Sequence, residues 1–155
     1  MGHVAQSRDD LKARLEHIRK GRKVVFTNGV FDLLHVGHVR YLQEARALGD
    51  LLVVGVNSDE SVRVLKGPTR PIQNENDRAE ILAGLEAVSF TVLFGEQTPA
   101  ELLEFVRPDI LVKGGDYKIE TIVGAKFVMS YGGVVKVLSF VDGKSTSNIV
   151  KKFQS

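Results

Sequence analysis

Five short, apolar, β-rich runs, Val24 to Thr27, Leu51 to Val56, Phe90 to Phe94, Ile110 to Val112 and Val134 to Leu138, alternate along the chain with segments that read as helix. Strict alternation places a crossover helix between successive strands, which makes the strands parallel and covers both faces of the sheet. The pattern therefore predicts an α/β, doubly wound sheet of five parallel strands. Val36 to Leu48 sets Val39, Leu42 and Ala45 on one side of a helix, and Ser58 opens another with Asp59 and Glu60 in its first turn. Asn74 is placed to cap a third helix carrying Ile81, Leu82 and Leu85. Thr98-Pro99-Ala100-Glu101 reads as a capping box with proline at the first helical position. Ile119, Ile122, Val123 and Phe127 predict a helix ending near Gly132 and Gly133, and Ile149, Val150 and Phe153 a short last helix after Ser145. Leu11, Leu15 and Ile18 make residues 1–22 an N-terminal helical extension, expected outside the sheet. The main domain then covers residues 23–155, all within one globular unit.

With 155 residues there is room for one real core. Lys plus Arg at 21 against Asp plus Glu at 19 leaves a net charge of +2, so charge gives no reason to expect a nucleic-acid partner. A composition 43% hydrophobic and 26% charged excludes a disordered chain. The absence of cysteine excludes a disulfide framework, a cysteine zinc site and a thiol nucleophile. No stretch approaches the roughly 20 apolar residues that span a bilayer, and Met1 to Lys12 is too polar for a signal peptide. A cytoplasmic protein with no membrane partner is expected.

In an open doubly wound sheet, ligands lie beyond the carboxyl ends of the strands. The first such segment runs Thr27-Asn28-Gly29-Val30-Phe31-Asp32-Leu33-Leu34-His35-Val36-Gly37-His38. It has neither the Gly-x-Gly-x-x-Gly of a dinucleotide site nor the Gly-Lys-Ser/Thr of a P-loop, which counts against a dehydrogenase and a P-loop kinase. Gly37 lets backbone approach closely at a helix start, where N–H groups and the dipole favour an anion, and His35 and His38 add donors. One histidine at a helix start is ordinarily a cap or a core residue. Two of the chain's four histidines at this spacing, behind Phe31-Asp32, point to phosphate chemistry.

The pattern Gly29-x-Phe31-Asp32-x-x-His35-x-Gly37-His38 resembles the signature of the nucleotidyltransferase superfamily that carries a His-x-Gly-His motif. The resemblance implies a Rossmann-like fold. It also implies that His35 and His38 contact nucleotide phosphates and stabilise the transition state as an oxygen of a phosphorylated substrate attacks the α-phosphorus. Thr27, Asn28, Gly29, Phe31 and Gly37 would line the nucleotide side of that segment. Lys66, in Leu65-Lys66-Gly67-Pro68, takes the place of a loop lysine that reaches the phosphates, and so completes the catalytic set. In Lys113-Gly114-Gly115-Asp116-Tyr117, Lys113 and Gly114 line the nucleotide site, and Asp116 either accepts from the nucleotide or serves the turn. Ser145 and Thr146, in Asp142 to Asn148, suit both a helix cap and the outer phosphates.

Across Lys23 to Lys152 the likeness narrows to one branch, the heptose 1-phosphate adenylyltransferases, which occur alone or fused to a sugar kinase. It implies transfer of AMP from ATP to D-glycero-β-D-manno-heptose 1-phosphate, giving ADP-heptose and pyrophosphate for a lipopolysaccharide core or surface glycan. ATP and a sugar 1-phosphate would be the partners, in a homo-oligomer, with the heptose kinase encoded separately. Mg²⁺ would bridge phosphate oxygens, with no direct protein ligand assigned to it. The sugar side falls to Asp32, Asn57, Asp59, Arg70 and Arg78. Asp32 could orient a basic group, meet the metal or cap the helix, and Arg78 could pair with Asp77 or Glu75 instead of facing the site. Lys144 stands where the branch often has cysteine, and Ser147 where threonine is common. Competing readings are a glycerol 3-phosphate cytidylyltransferase, a riboflavin-phosphate adenylyltransferase and a non-catalytic nucleotide-binding module.

Overall fold

A computed structural model describes residues 2–139. The expected alternation is present: β2 (Val24–Gly29), α2 (Val36–Ala47), β3 (Leu51–Asn57), α3 (Asp59–Lys66), α4 (Glu75–Ala83), β4 (Phe90–Phe94), α5 (Ala100–Val106), β5 (Ile110–Gly114), α6 (Ala125–Ser130) and β6 (Val134–Leu138). They follow β1 (His3–Val4) and α1 (Arg8–Ile18), so the sheet has six strands rather than five. The first residues are accordingly more than a helical extension. His3 and Val4 pair with Phe90 and Thr91, while Leu11 and Leu15 are buried in the same cluster as Val53, Phe90 and Val92. A strand of two residues is too short to show a period, and its pairing with β4 alone makes it visible.

All pairings are parallel, in the order β1-β4-β3-β2-β5-β6. From β2 the chain builds outward through β3 and β4, then returns to β2's other edge for β5 and β6. The carboxyl ends of β2 and β5 therefore diverge into the crevice where such sheets bind ligands. Successive residues of each strand enter opposite cores. Val24 and Phe26 join Leu102, Leu103 and Val106 of α5, whereas Val25 joins Leu42 and Ala45 of α2 and Leu82 of α4. The central strand β3 is buried along its whole length, which is why it reads as a continuous apolar run.

Local signals set several helix starts. Ser7, Ser58 and Asn74 are N-caps whose side chains accept from Asp10, Ser61 and Asp77 amides. Two expectations fail. The N-cap of α5 is Pro99 with no side-chain hydrogen bond, so the capping box at Thr98 does not form and Thr98 instead lines a cleft. The helix expected from Ile119 is broken into a 3₁₀ turn, Ile119–Thr121, and α6. Gly124 causes the break: it sits at φ 89°, and a Cβ there would run into Leu103 Cδ1. Ile119 and Val123 are exposed, and Ile122 is the member of that stripe that is buried. Asp142 to Asn148, including Lys144, Ser145, Thr146 and Ser147, and the stretch expected as a last helix lie outside the described residues.

Candidate active site

Two adjoining hollows open at the ends of β2 and β5. The larger, about 490 Å³, is lined in part by Asn28, Gly29, Asn57, Lys66, Thr98 and Lys113. The smaller, about 260 Å³, shares Asn28, Gly29, Lys66 and Lys113 and adds Phe31, Asp32, His38, Arg70 and Gly114. Together they gather three cations from separate parts of the chain: the last residue of α3, the loop before α4 and the end of β5. Arg70 is paired with Asp32 in the same wall, so the uncompensated positive charge of this concave, partly apolar wall rests on Lys66 and Lys113, and it concentrates an anionic ligand.

The two histidines form one unit. His35 is the N-cap of α2, and its Nδ1 accepts from the Gly37 amide at 3.1 Å. His38 Nδ1 accepts from the His35 amide at 3.3 Å, and the rings stack with centroids 3.9 Å apart. A neutral imidazole that accepts at Nδ1 carries its proton on Nε2, so His38, which lines the smaller hollow, presents an Nε2–H donor there, whereas His35 lines neither hollow and orders the helix start. Burial, with His35 adding to it, pushes the His38 pKa down to about 4, so at neutral pH it is an uncharged donor. The helix start differs from the expectation of free amides. Gly37 N is taken by His35 Nδ1, and His38 N by the His35 carbonyl at 3.0 Å, so two of the expected amides are already bonded within the helix start.

Phe31 and Leu33 both adopt positive φ, 50° and 57°, on either side of Asp32. Such a backbone is unusual for bulky residues and persists where its surroundings enforce it. Asp32, 1% exposed, accepts from the Ile72 amide at 2.7 Å, the Gln73 amide at 2.9 Å and Arg70 Nε at 3.0 Å. Burial raises the Asp32 pKa, but these donors outweigh it and hold the carboxylate below its ordinary value. The Phe31 ring meets His38 edge-on at 5.5 Å, and a Cβ on Gly29 would sit 2.9 Å from Phe31 Cε2. Gly29 thus leaves room for the ring that abuts His38.

Other residues singled out in the sequence occupy different places. Thr27 is 1% exposed and its hydroxyl is bonded to Tyr41 Oη at 2.6 Å, so it joins β2 to α2 and lines neither hollow. Arg78, 1% exposed, donates from Nε to the Gln73 carbonyl, from one terminal nitrogen to the Val30 carbonyl at 2.8 Å and from the other to Asp59 Oδ1 at 2.8 Å. Arg78 and Asp59 thereby brace the loops from beneath, and neither lines the hollows. Asp77 bonds Asn74 instead. Asn57 donates to Ser61 Oγ at 3.3 Å within the larger hollow, and Asp116 is exposed. Sequence reasoning missed Tyr117, which lines both hollows with Lys113 Nζ 5.2 Å from its ring centre, and Gln73. Tyr117's place directly after Gly-Gly-Asp was the available signal.

Among the described residues, no three His, Asp or Glu side chains are placed to hold a metal ion, and both Asp32 oxygens already accept from donors. Nor, among the described residues, is any helix long and apolar enough to cross a membrane.

The family pattern described as Cytidylyltransferase-like matches residues 26–152, running through the strands and loops that build this cleft. The chain belongs to the cytidylyltransferase-like family. It is 59% identical over 146 residues to a bifunctional protein HldE from Syntrophotalea carbinolica, an overlap of 94% of this chain and 30% of that protein. A second HldE, from Geotalea uraniireducens, is 60% identical over 136 residues, which cover 88% of this chain and 28% of its own length. The chain therefore spans about 30% of the length of the curated relatives it matches. The crystal structure of a lipopolysaccharide core biosynthesis protein from Thermoplasma volcanium is 33% identical, with TM-score 0.63, and covers 80% of this chain and 100% of that one. A pantoate-β-alanine ligase from Francisella tularensis, at 15% identity and TM-score 0.65, shares the fold, with 99% of this chain and 77% of that one covered.

Proposed function

We propose that the chain is an adenylyltransferase that moves AMP from ATP to D-glycero-β-D-manno-heptose 1-phosphate, releasing ADP-heptose and pyrophosphate. The observation that carries the nucleotidyl-transfer part is the meeting of His38, Lys66, Arg70 and Lys113 around one cleft at the divergence of β2 and β5. A sugar-phosphate oxygen is ionised at neutral pH, so the protein needs no general base to activate it. It has to align that oxygen with the α-phosphorus and disperse charge as the bond to pyrophosphate breaks. His38, neutral and presenting Nε2–H, suits a donor that strengthens as charge grows on a phosphate oxygen. Lys66, next to Gly67 at the end of α3, suits a cation that follows charge onto the leaving pyrophosphate. Asn57 and Arg70 are assigned to the sugar phosphate.

The acceptor is supported by the run Lys113 to Tyr117 and by the likeness to bifunctional HldE proteins and to a lipopolysaccharide core biosynthesis protein. Mg²⁺ is assigned to the ATP phosphates, since this ion keeps several waters and binds readily to substrate phosphates. A sugar kinase acting at C1 would supply the acceptor.

The test is pyrophosphate release from ATP or CTP, with Mg²⁺, against both anomers of heptose 1-phosphate, glycerol 3-phosphate and riboflavin phosphate. Release with ATP and the β-heptose phosphate alone is expected. Turnover of CTP with glycerol 3-phosphate would replace the substrates and keep the mechanism, and ATP binding without turnover anywhere would replace the enzyme with a nucleotide-binding module.

A further inference from the structure

We infer that Gln73 is a positioning residue for the histidine pair, acting through the left-handed turn at Phe31 to Leu33; the inference rests on the transferase reading above. Gln73 meets that turn and its brace through three separate groups. Its amide donates to Asp32 Oδ1 at 2.9 Å, its carbonyl accepts from Arg78 Nε at 3.0 Å, and its side-chain Oε1 accepts from the Leu33 amide at 3.1 Å. The backbone bonds fix where residue 73 lies, and the side chain then reaches across to the turn. Arg78 also holds the Val30 carbonyl, so both ends of the segment 30–33 are tied to residues 73 and 78.

The turn needs such an anchor. Phe31 and Leu33 are bulky residues at φ 50° and 57°, a region costing of order 1 kcal/mol or more for each. Asp32 and Val30 keep their own bonds, so losing the Oε1 acceptor loosens the Leu33 end of the turn, and a small relaxation toward ordinary φ there shifts the Phe31 ring. That ring lies edge-on against His38, whose Nδ1 in turn accepts from the His35 amide. A displaced Phe31 therefore disturbs the bond that keeps the His38 proton on Nε2. Loss of the Gln73 acceptor lowers the fraction of molecules with the His38 Nε2–H aligned, and this acts on the transition state more than on ground-state binding.

Gln73→Met and Gln73→Glu separate this role from general folding. Both keep the backbone bonds of residue 73, and Gln73→Glu also keeps an acceptor oxygen at similar reach. In Gln73→Met, kcat is expected to fall roughly tenfold to a hundredfold, with KM for ATP changing less than about threefold. In Gln73→Glu most of kcat returns. A second readout needs no substrate: ¹⁵N signals of the His38 ring in the free protein should report one neutral tautomer, protonated at Nε2, in the parent and in Gln73→Glu. In Gln73→Met they should report a mixture. Unchanged ring signals in Gln73→Met, an unchanged kcat, or failure of Gln73→Glu to restore both would each overturn the inference. If the parent protein transfers no nucleotide to any acceptor, the function reading falls, and the ring signals alone decide whether Gln73 orders the pair.

Discussion

Replacing Arg78 by Met tests how the cleft is held open. The guanidinium is fully buried and serves three acceptors at once: the Val30 carbonyl, the Gln73 carbonyl and the Asp59 carboxylate, which is 25% exposed. Methionine fills much of the same space but removes every donor. Breaking a buried ion pair by deleting one partner costs about 3–5 kcal/mol, because the other charge is left uncompensated. Asp59 can regain some water through its exposed quarter, which places its share at the low end, and two stranded carbonyls add about 1 kcal/mol each. A loss of about 5 kcal/mol is a large fraction of the roughly 5–15 kcal/mol that stabilises a domain, and it lowers Tm by roughly 15 °C. Urea unfolding of parent and variant measures it. Adding Asp59→Leu to Arg78→Met should recover about half of the loss, since no orphan charge then remains. Arg78→Lys should recover less than the double variant, because a single ammonium cannot serve three acceptors that a planar fork meets. A loss in Arg78→Met below about 1 kcal/mol would refute the idea that this residue ties the loops together.

Other consequences are open to direct measurement. His38→Ala should lower nucleotidyl transfer by about a hundredfold or more while Tm moves little, and near-parental turnover would remove the ring from the chemistry. With a folded pKa near 4, below the ordinary 6.5, the His38 ring should stay neutral from pH 8 to pH 5 when followed by NMR in the free protein. The unfolded chain binds the extra proton first. His38's neutral burial therefore contributes stability that is fully present above about pH 6.5 and is lost as pH falls toward 4. A His38→Phe variant should accordingly lose less stability than the parent between those two pH values. Gly124→Ala should destabilise by about 1–3 kcal/mol, from the strained φ and the contact with Leu103, and a neutral or stabilising effect in thermal melts would contradict the account of the helix break.

Whatever depends on neighbours along the chain is legible in the order of residues alone. The alternation of apolar runs with helical stripes identifies every strand from β2 to β6: the inner strands are buried on both faces and read as continuous apolar runs, and the edge strand β6 still carries four apolar residues around Lys136. Ser58 and Asn74 reveal their helix starts for a local reason: a cap bonds an amide three residues away. The spacing of His35 and His38 likewise carries its meaning in four residues, since one turn of helix brings both rings together. The roles of Asp32, Gln73 and Arg78 have no such signature. Asp32 meets Arg70 across 38 residues and Arg78 meets Val30 across 48, so only the folded sheet decides that these groups touch. From the sequence Asp59 and Arg78 fall to the sugar side of the site, until the fold brings the start of α3 against α4. Burial then turns two ordinary charges into a brace. Local pattern is enough for the strands from β2 to β6 and for the segments that end at the cleft, while tertiary contacts settle which charged residues line that cleft and which lie sealed beneath it, because desolvation and long-range pairing are properties of the packed chain.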